Sequence, residues 1–173
     1  MQKQRGFSLI ELLIVVAIIL IIAAIAIPNL LRARMAANES SAVASVRTVT
    51  TGEVTYQTAY PTVGYSKDLL SLGGALGAAC VPASTSACLI DSVLASNGNP
   101  VASGKSGYSF VTAPGTVVGG VYVGYGISAT PLSKNQTGIR AFCAEEDAVV
   151  RVDPAGACSN VEATILTFNP LNQ

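Results

Sequence analysis

The hydrophobic positions of this chain are gathered at one end. Between Arg5 and Arg32 the single formal charge is Glu11, and every residue from position 12 to position 27 is Leu, Ile, Val or Ala. A helix rises about 1.5 Å per residue, so roughly 20 apolar residues cross a bilayer, and the segment 7–31 is long enough. Pro28 falls inside this pattern, where it removes a backbone donor and crowds the preceding turn, which predicts a kink near residues 24–28. The helix then resumes. Positions 29–56 contain no proline and one glycine, Gly52, and Val43, Val46 and Val49 recur at helical spacing with Ala36 on a nearby face. Ser40, Ser41, Thr48, Thr50 and Thr51 weaken the intrinsic propensity, so this half of the helix depends on packing against the rest of the chain. Pro61 sets its latest end.

Downstream the pattern changes twice. Residues 61–107 hold Gly64, Gly73, Gly74, Gly77, Pro82, Gly98 and Pro100, a density of breakers that predicts a long connecting loop with brief helical turns at 67–72 and 89–95. A loop of this length needs its own tether. From residue 108 onward, short β-rich runs at 108–112, 121–128, 139–143, 149–152 and 164–168 are separated by Gly and Pro and predict an antiparallel sheet. Glu145-Glu146-Asp147 and Asp153-Pro154-Ala155-Gly156 read as turns between strands, the first of them solvated. The expected fold class is α+β, a long N-terminal helix whose hydrophobic half protrudes and whose C-terminal half carries a small antiparallel sheet. The expected organisation is a leader at 1–6, a membrane or core helix at 7–31, its amphipathic continuation at 32–60, the connecting loop at 61–107 and the sheet region at 108–173.

Composition sharpens this picture. Of 173 residues, 50% are hydrophobic and 12% charged, and the ten basic and ten acidic residues balance without any basic run, which excludes the usual electrostatic footprint of a nucleic-acid binder. The four cysteines, Cys80, Cys88, Cys143 and Cys158, all lie beyond the apolar segment, as expected of a part exported to an oxidising compartment. Proximity favours Cys80 with Cys88 and Cys143 with Cys158, each closing a short loop, although four cysteines allow three connectivities. The chain has no histidine and no CxxC spacing, so zinc, thioredoxin-type redox chemistry and histidine-assisted nucleophilic catalysis are all disfavoured.

The N-terminus carries the sharpest signal. A secretory signal has an apolar stretch of roughly 7–15 residues followed by a small-residue cleavage site. Here the run is longer, no such site follows, and an acidic residue stands near its start, where a carboxylate is costly in a membrane and marks a function. Lys3-Gln4-Arg5-Gly6, followed by Phe7-Ser8-Leu9-Ile10-Glu11-Leu12-Leu13 and the aliphatic run through Pro28-Asn29, resembles the processing site of type IV prepilins and the related pseudopilins. The match covers roughly the first 35 residues.

The resemblance implies that a prepilin peptidase cuts between Gly6 and Phe7 and methylates the new amino group of Phe7. It implies that Glu11 guides filament assembly by neutralising the Phe7 amine of a neighbouring subunit, since both charges would otherwise be stranded in an apolar core. It also implies a homo-oligomeric helical filament, growth driven by an inner-membrane platform and an assembly ATPase, and a path from single-pass inner-membrane protein to cell-surface pilus. The membrane is thus an expected partner, whereas no cofactor, metal or catalytic residue is expected. A pseudopilin of a type II secretion system, acting in a periplasmic pseudopilus, shares the same first 35 residues. The Cys143 and Cys158 loop favours a pilin, because such C-terminal disulfide loops are common there. A membrane-anchored binding module would leave Gly6, Phe7 and Glu11 together unexplained.

Other motifs carry less. Gly104-Lys105-Ser106 lacks the upstream glycine of a phosphate-binding loop, position 99 being Asn. The acidic residues Glu145, Glu146, Asp147 and Asp153 do not follow the EF-hand spacing. Asn38-Glu39-Ser40 and Asn135-Gln136-Thr137 match a glycosylation triplet that is short enough to recur by chance. Tyr108, Phe110, Tyr122, Tyr125, Phe142 and Phe168 are expected to fill the core or surface of the head.

Overall fold

The structure, a computed structural model, describes residues 7–98 and 100–171. The expected leader 1–6, with Gly6, lies outside them. The chain forms two compact units, Met1–Arg34 and Met35–Gln173. One helix, α1 (Leu9–Ala59), runs through both, and Pro28 sits inside it without ending it. In the first unit the large apolar side chains from Phe7 to Leu31 are all solvent-exposed.

In the second unit, α1 buries Ala42, Val46, Val49 and Tyr56, spaced by four, three and seven residues, so that one stripe of the helix enters the core. Gly52 and Glu53 lie on the same stripe. Val43 packs at its margin and Ala36 is exposed, so the buried face is rotated from the one the valines alone suggest. Elsewhere on the helix, the exposed hydroxyls of Thr48, Thr51, Thr55 and Thr58 each donate back to the carbonyl four residues earlier, which satisfies the side chain locally despite modest helix propensity.

The connecting region contains α2 (Leu69–Gly73) and α3 (Ser92–Ala95). Each begins at an aspartate that accepts a backbone N–H: Ser71 N donates to Asp68 and Leu94 N donates to Asp91. A disulfide joins Cys80 to Cys88, and the Tyr56 hydroxyl donates to the Ser84 carbonyl inside that loop, fixing it to α1.

A five-stranded antiparallel sheet follows in the order β1 (Tyr108–Pro114), β4 (Tyr125–Pro131), β5 (Ala141–Glu145), β6 (Arg151–Asp153) and β7 (Asn169–Pro170). Between β1 and β4, a two-stranded ribbon, β2 (Val117–Val118) and β3 (Val121–Tyr122), turns at Gly119 and Gly120. The central strands β4 and β5 are buried on both faces. Phe142 and Ala144 of β5 enter the main core with α1, while the alternate residues Ala141 and Cys143 face a second cluster containing Cys158 and Ile165. Cys143 is bonded to Cys158, which holds the C-terminal segment over that second face.

Four sequence expectations shift. The 121–128 run divides, because Tyr122 exchanges hydrogen bonds with residues 63 and 65 while β4 starts at Tyr125. The 139–143 run starts as a strand only at Ala141, since the N–H groups of Ile139 and Arg140 donate to Glu39 instead of to a neighbouring strand. The expected strand at 164–168 is replaced by a helical turn, α4 (Glu162–Ile165), in which Ile165 N donates to Val161 O and Ile165 drops into the second cluster. The Glu145-to-Asp147 turn is not solvated throughout. Glu145 is buried as the last residue of β5, and Arg151, also buried, reaches it at 3.5 Å and pairs with Asp147.

Candidate functional site

The first turn of α1 is built by Ser8 and Glu11. Four backbone N–H groups at a helix start have no partner inside the helix. Glu11, three residues after Ser8, curls back so that Ser8 N donates to its Oε2 at 2.8 Å. This is the carboxylate half of a capping box, and it also sets a negative charge at the positive end of the helix dipole. The spacing Ser8-Leu9-Ile10-Glu11 carries that signature in the sequence, beside the assembly role that the resemblance implies for Glu11. Around the carboxylate the surface is apolar: Phe7 and Leu9 are each 80% exposed, with Ile10, Leu12 and Leu13 beside them. The 18-residue stretch with the strongest hydropathy buries none of its residues, and the helix is long and apolar enough to cross a membrane. Such a surface can leave water only by entering lipid or by packing on other apolar helices, and either environment makes a lone carboxylate costly unless a cation meets it.

Pro28 lies in the exposed part of α1, and the four cysteines form the two bridges described above. Sequence reasoning missed Glu39. Its Oε1 accepts the N–H groups of Ile139 and Arg140, and its Oε2 accepts Arg140 Nε at 2.8 Å and pairs with Arg140 Nη2 at 2.7 Å. Burial alone would raise its pKa, but the two backbone donors and the Arg140 guanidinium outweigh it and hold the carboxyl below its ordinary value. Asn38 works beside it, donating to the Thr137 carbonyl at 2.8 Å. Together they fasten the second half of α1 to the β4–β5 connection. No pattern marks Glu39 in the sequence, because its partners are about a hundred positions away.

Gly104, Lys105 and Ser106 lie in a loop where Lys105 pairs with Asp91 and Ser41 donates to the Ser106 hydroxyl, so the local groups serve packing. A cleft of about 570 Å³ beside β1 is lined mainly by Leu69, Leu70, Leu76, Val101, Phe110 and Val111. The amide of Asn97 at its wall is committed to Ser109 and to the N–H of Phe110. Among the described residues, no group of three or more Cys, His, Asp or Glu is placed to hold a metal ion.

Comparison with known proteins bears on the same N-terminal segment. The model of the prokaryotic N-terminal methylation motif matches residues 1–27. The type IV wide pilus major component PilA4 of Thermus thermophilus is 49% identical over 57 residues, 33% of this chain and 44% of that protein. The type IV major pilin protein PilA of Myxococcus xanthus is 44% identical over 54 residues, 31% of this chain and 24% of that protein. The chain thus spans less than half the length of either relative. No solved structure matches. The chain thus carries the prokaryotic N-terminal methylation motif at its start, on a long apolar helix joined to an α+β architecture, and over its N-terminal third it is similar to type IV pilins.

Proposed function

We propose that this chain is a structural subunit, a pilin, of a type IV pilus filament. In this reading the leader is removed between Gly6 and Phe7, the Phe7 amine is methylated, and the segment 7–31 anchors the subunit in the inner membrane before it enters the filament. The observation that carries the reading is the exposed apolar first half of α1 with one carboxylate in its first turn, on a chain whose head holds two disulfides. Exchange of lipid for neighbouring helices supplies close packing, and pairing of Glu11 with the Phe7 amine of another subunit fixes the stagger. A peptidase that also methylates, an inner-membrane platform and an ATPase are the partners this role requires, and no catalytic residue is needed in the chain itself. The heads would form the filament wall, where an oxidising environment keeps the bridges closed.

The test is the intact mass of the protein in filaments sheared from cells, against the membrane fraction, before and after reduction. The expected species in filaments comprises residues 7–173 with one methyl group and gains four protons on reduction. A cleaved species found in membranes alone would replace this reading with a secretion pseudopilin, and an uncleaved chain would leave a simple anchor.

A further inference from the structure

Glu53 is fully buried on the core face of α1 and takes no part in the role proposed above. Among the described residues, Ser66 alone holds it: Ser66 N donates to Oε2 at 2.8 Å and Ser66 Oγ donates to Oε1 at 2.6 Å. The titratable groups that interact with it are, among the described residues, all acids. Tyr56 lies on α1 itself, Tyr65 and Asp68 on the segment after the helix, and Tyr125 on β4, while Glu146 faces Tyr65 and Tyr125 from the β5–β6 turn. Lys67, next to Ser66 in sequence, is exposed, and among the described residues no Lys or Arg forms an ion pair with Glu53. A carboxylate in this place is desolvated without a compensating cation.

The geometry around Ser66 accommodates the neutral acid. Ser66 Oγ also lies 3.2 Å from the Asp68 carbonyl. With Glu53 ionised, the serine hydroxyl donates to Oε1. With a proton on Oε1, Glu53 donates to Ser66 Oγ, the serine proton turns to the Asp68 carbonyl, and Ser66 N keeps its bond to Oε2. Every polar group named remains paired in the neutral state, whereas the ionised state leaves a full charge in the core.

The segment that Glu53 holds reaches further. Tyr65 N donates to Tyr122 O at 3.0 Å and Tyr122 N donates to Val63 O at 2.9 Å, which attaches β3 and its ribbon to residues 63–65. At the tip of that ribbon Val117 and Val118 are exposed. We propose that Glu53 and Ser66 form a proton-operated latch, which holds residues 63–66 and the β2–β3 ribbon against α1 while Glu53 is protonated and loosens them when it ionises. Burial pushes the Glu53 carboxyl up to about 7 despite the two Ser66 bonds, and Asp68 adds to the rise. The latch therefore operates near neutrality.

The test is hydrogen exchange at the amides of Tyr65, Ser66 and Tyr122 in the full chain in detergent micelles, corrected for base-catalysed intrinsic exchange. Between about pH 5.5 and about pH 8.5, local opening at these amides is expected to rise roughly tenfold or more, with no matching change at Ala129 and Phe142 in the β4–β5 ladder. Glu53→Gln places an amide in the neutral geometry, so the three amides stay protected at both pH values. Ser66→Ala removes the hydroxyl that favours the ionised form and moves the midpoint upward. Constant corrected protection across this range in the natural chain overturns the proposal, as does an equal pH response in Glu53→Gln.

Discussion

Glu39 and Arg140 are joined at both ends of the carboxylate: one oxygen collects two backbone N–H groups from residues 139 and 140, the other takes the guanidinium of Arg140. The two partners are not equivalent. Arg140 is about half exposed, with its guanidinium 5.6 Å from the centre of the Phe142 ring, so water replaces much of what it loses on truncation. Removing Glu39 instead leaves two backbone donors without their acceptor in a partly buried connection. Glu39→Ala is therefore expected to cost about 2–3 kcal/mol and Arg140→Ala about 1 kcal/mol. Urea unfolding of the two variants in detergent checks the order; equal losses would mean that the ion pair, not the backbone bonds, holds the connection.

Stability should have a maximum in mildly acidic solution. Glu39, Asp91 and Asp147 are each desolvated by burial, yet hydrogen bonds and the charges of Arg140, Lys105 and Arg151 respectively hold them below their ordinary values of 4.5, 3.8 and 3.8. A depressed folded-state pKa contributes stability that is present above the unfolded value and lost as pH falls through the folded one. Glu53 has the opposite sign: raised from 4.5 to about 7, it contributes stability that is complete below 4.5 and lost as pH rises through 7. A Tm scan is expected to peak near pH 5 and fall on both sides, and Glu53→Gln is expected to flatten the alkaline side alone.

Two kinds of glycine should respond differently to alanine. At Gly126 the backbone is not left-handed, but an added Cβ would stand 2.2 Å from the Asn160 carbonyl oxygen and 2.9 Å from Ile165 Cδ1, where β4 meets the C-terminal segment. Gly119, at the tip of the ribbon, has φ +60° and nothing within 4 Å. Gly126→Ala is expected to cost about 3 kcal/mol through overpacking, and Gly119→Ala about 1 kcal/mol through conformation alone. Thermal unfolding of both separates the two causes.

What could be read from the sequence follows the range of the interactions involved. The apolar run, the long helix and the position of β1 rest on local patterns, and they were legible. The rest depended on distant residues. Tyr122 leaves the expected strand because residues 63 and 65 compete for its backbone, and Ile139 and Arg140 leave theirs because Glu39 takes their N–H groups. The turn at 162–165 replaces a strand because the Cys143–Cys158 bridge carries this segment to the uncovered face of β5, where Ile165 fills the space. At the candidate site, the motif around Glu11 is contiguous and was readable, while the buried Glu53 and Ser66 pair, thirteen residues apart across the end of α1, gave no periodic signal.

Glu11 decides between a local and an intermolecular role. Its carboxylate accepts the Ser8 N–H and favours the first turn of α1. If capping were its whole purpose, Glu11→Gln, which keeps an acceptor oxygen at the same reach, would support assembly nearly as well as the native residue. If the charge is needed to meet the methylated Phe7 amine of a neighbour, Glu11→Gln and Glu11→Ala should fail alike, because each leaves a buried cation unpaired, and breaking a buried pair from one side costs about 3–5 kcal/mol. The expected outcome is that both variants are cleaved after Gly6 and accumulate in the membrane, and that each yields under about a hundredth of the sheared filament mass, as a loss of that size implies. Abundant filaments built solely from Glu11→Gln would reduce Glu11 to a helix cap and move the fixing of subunit stagger to the shape of the apolar helix surface.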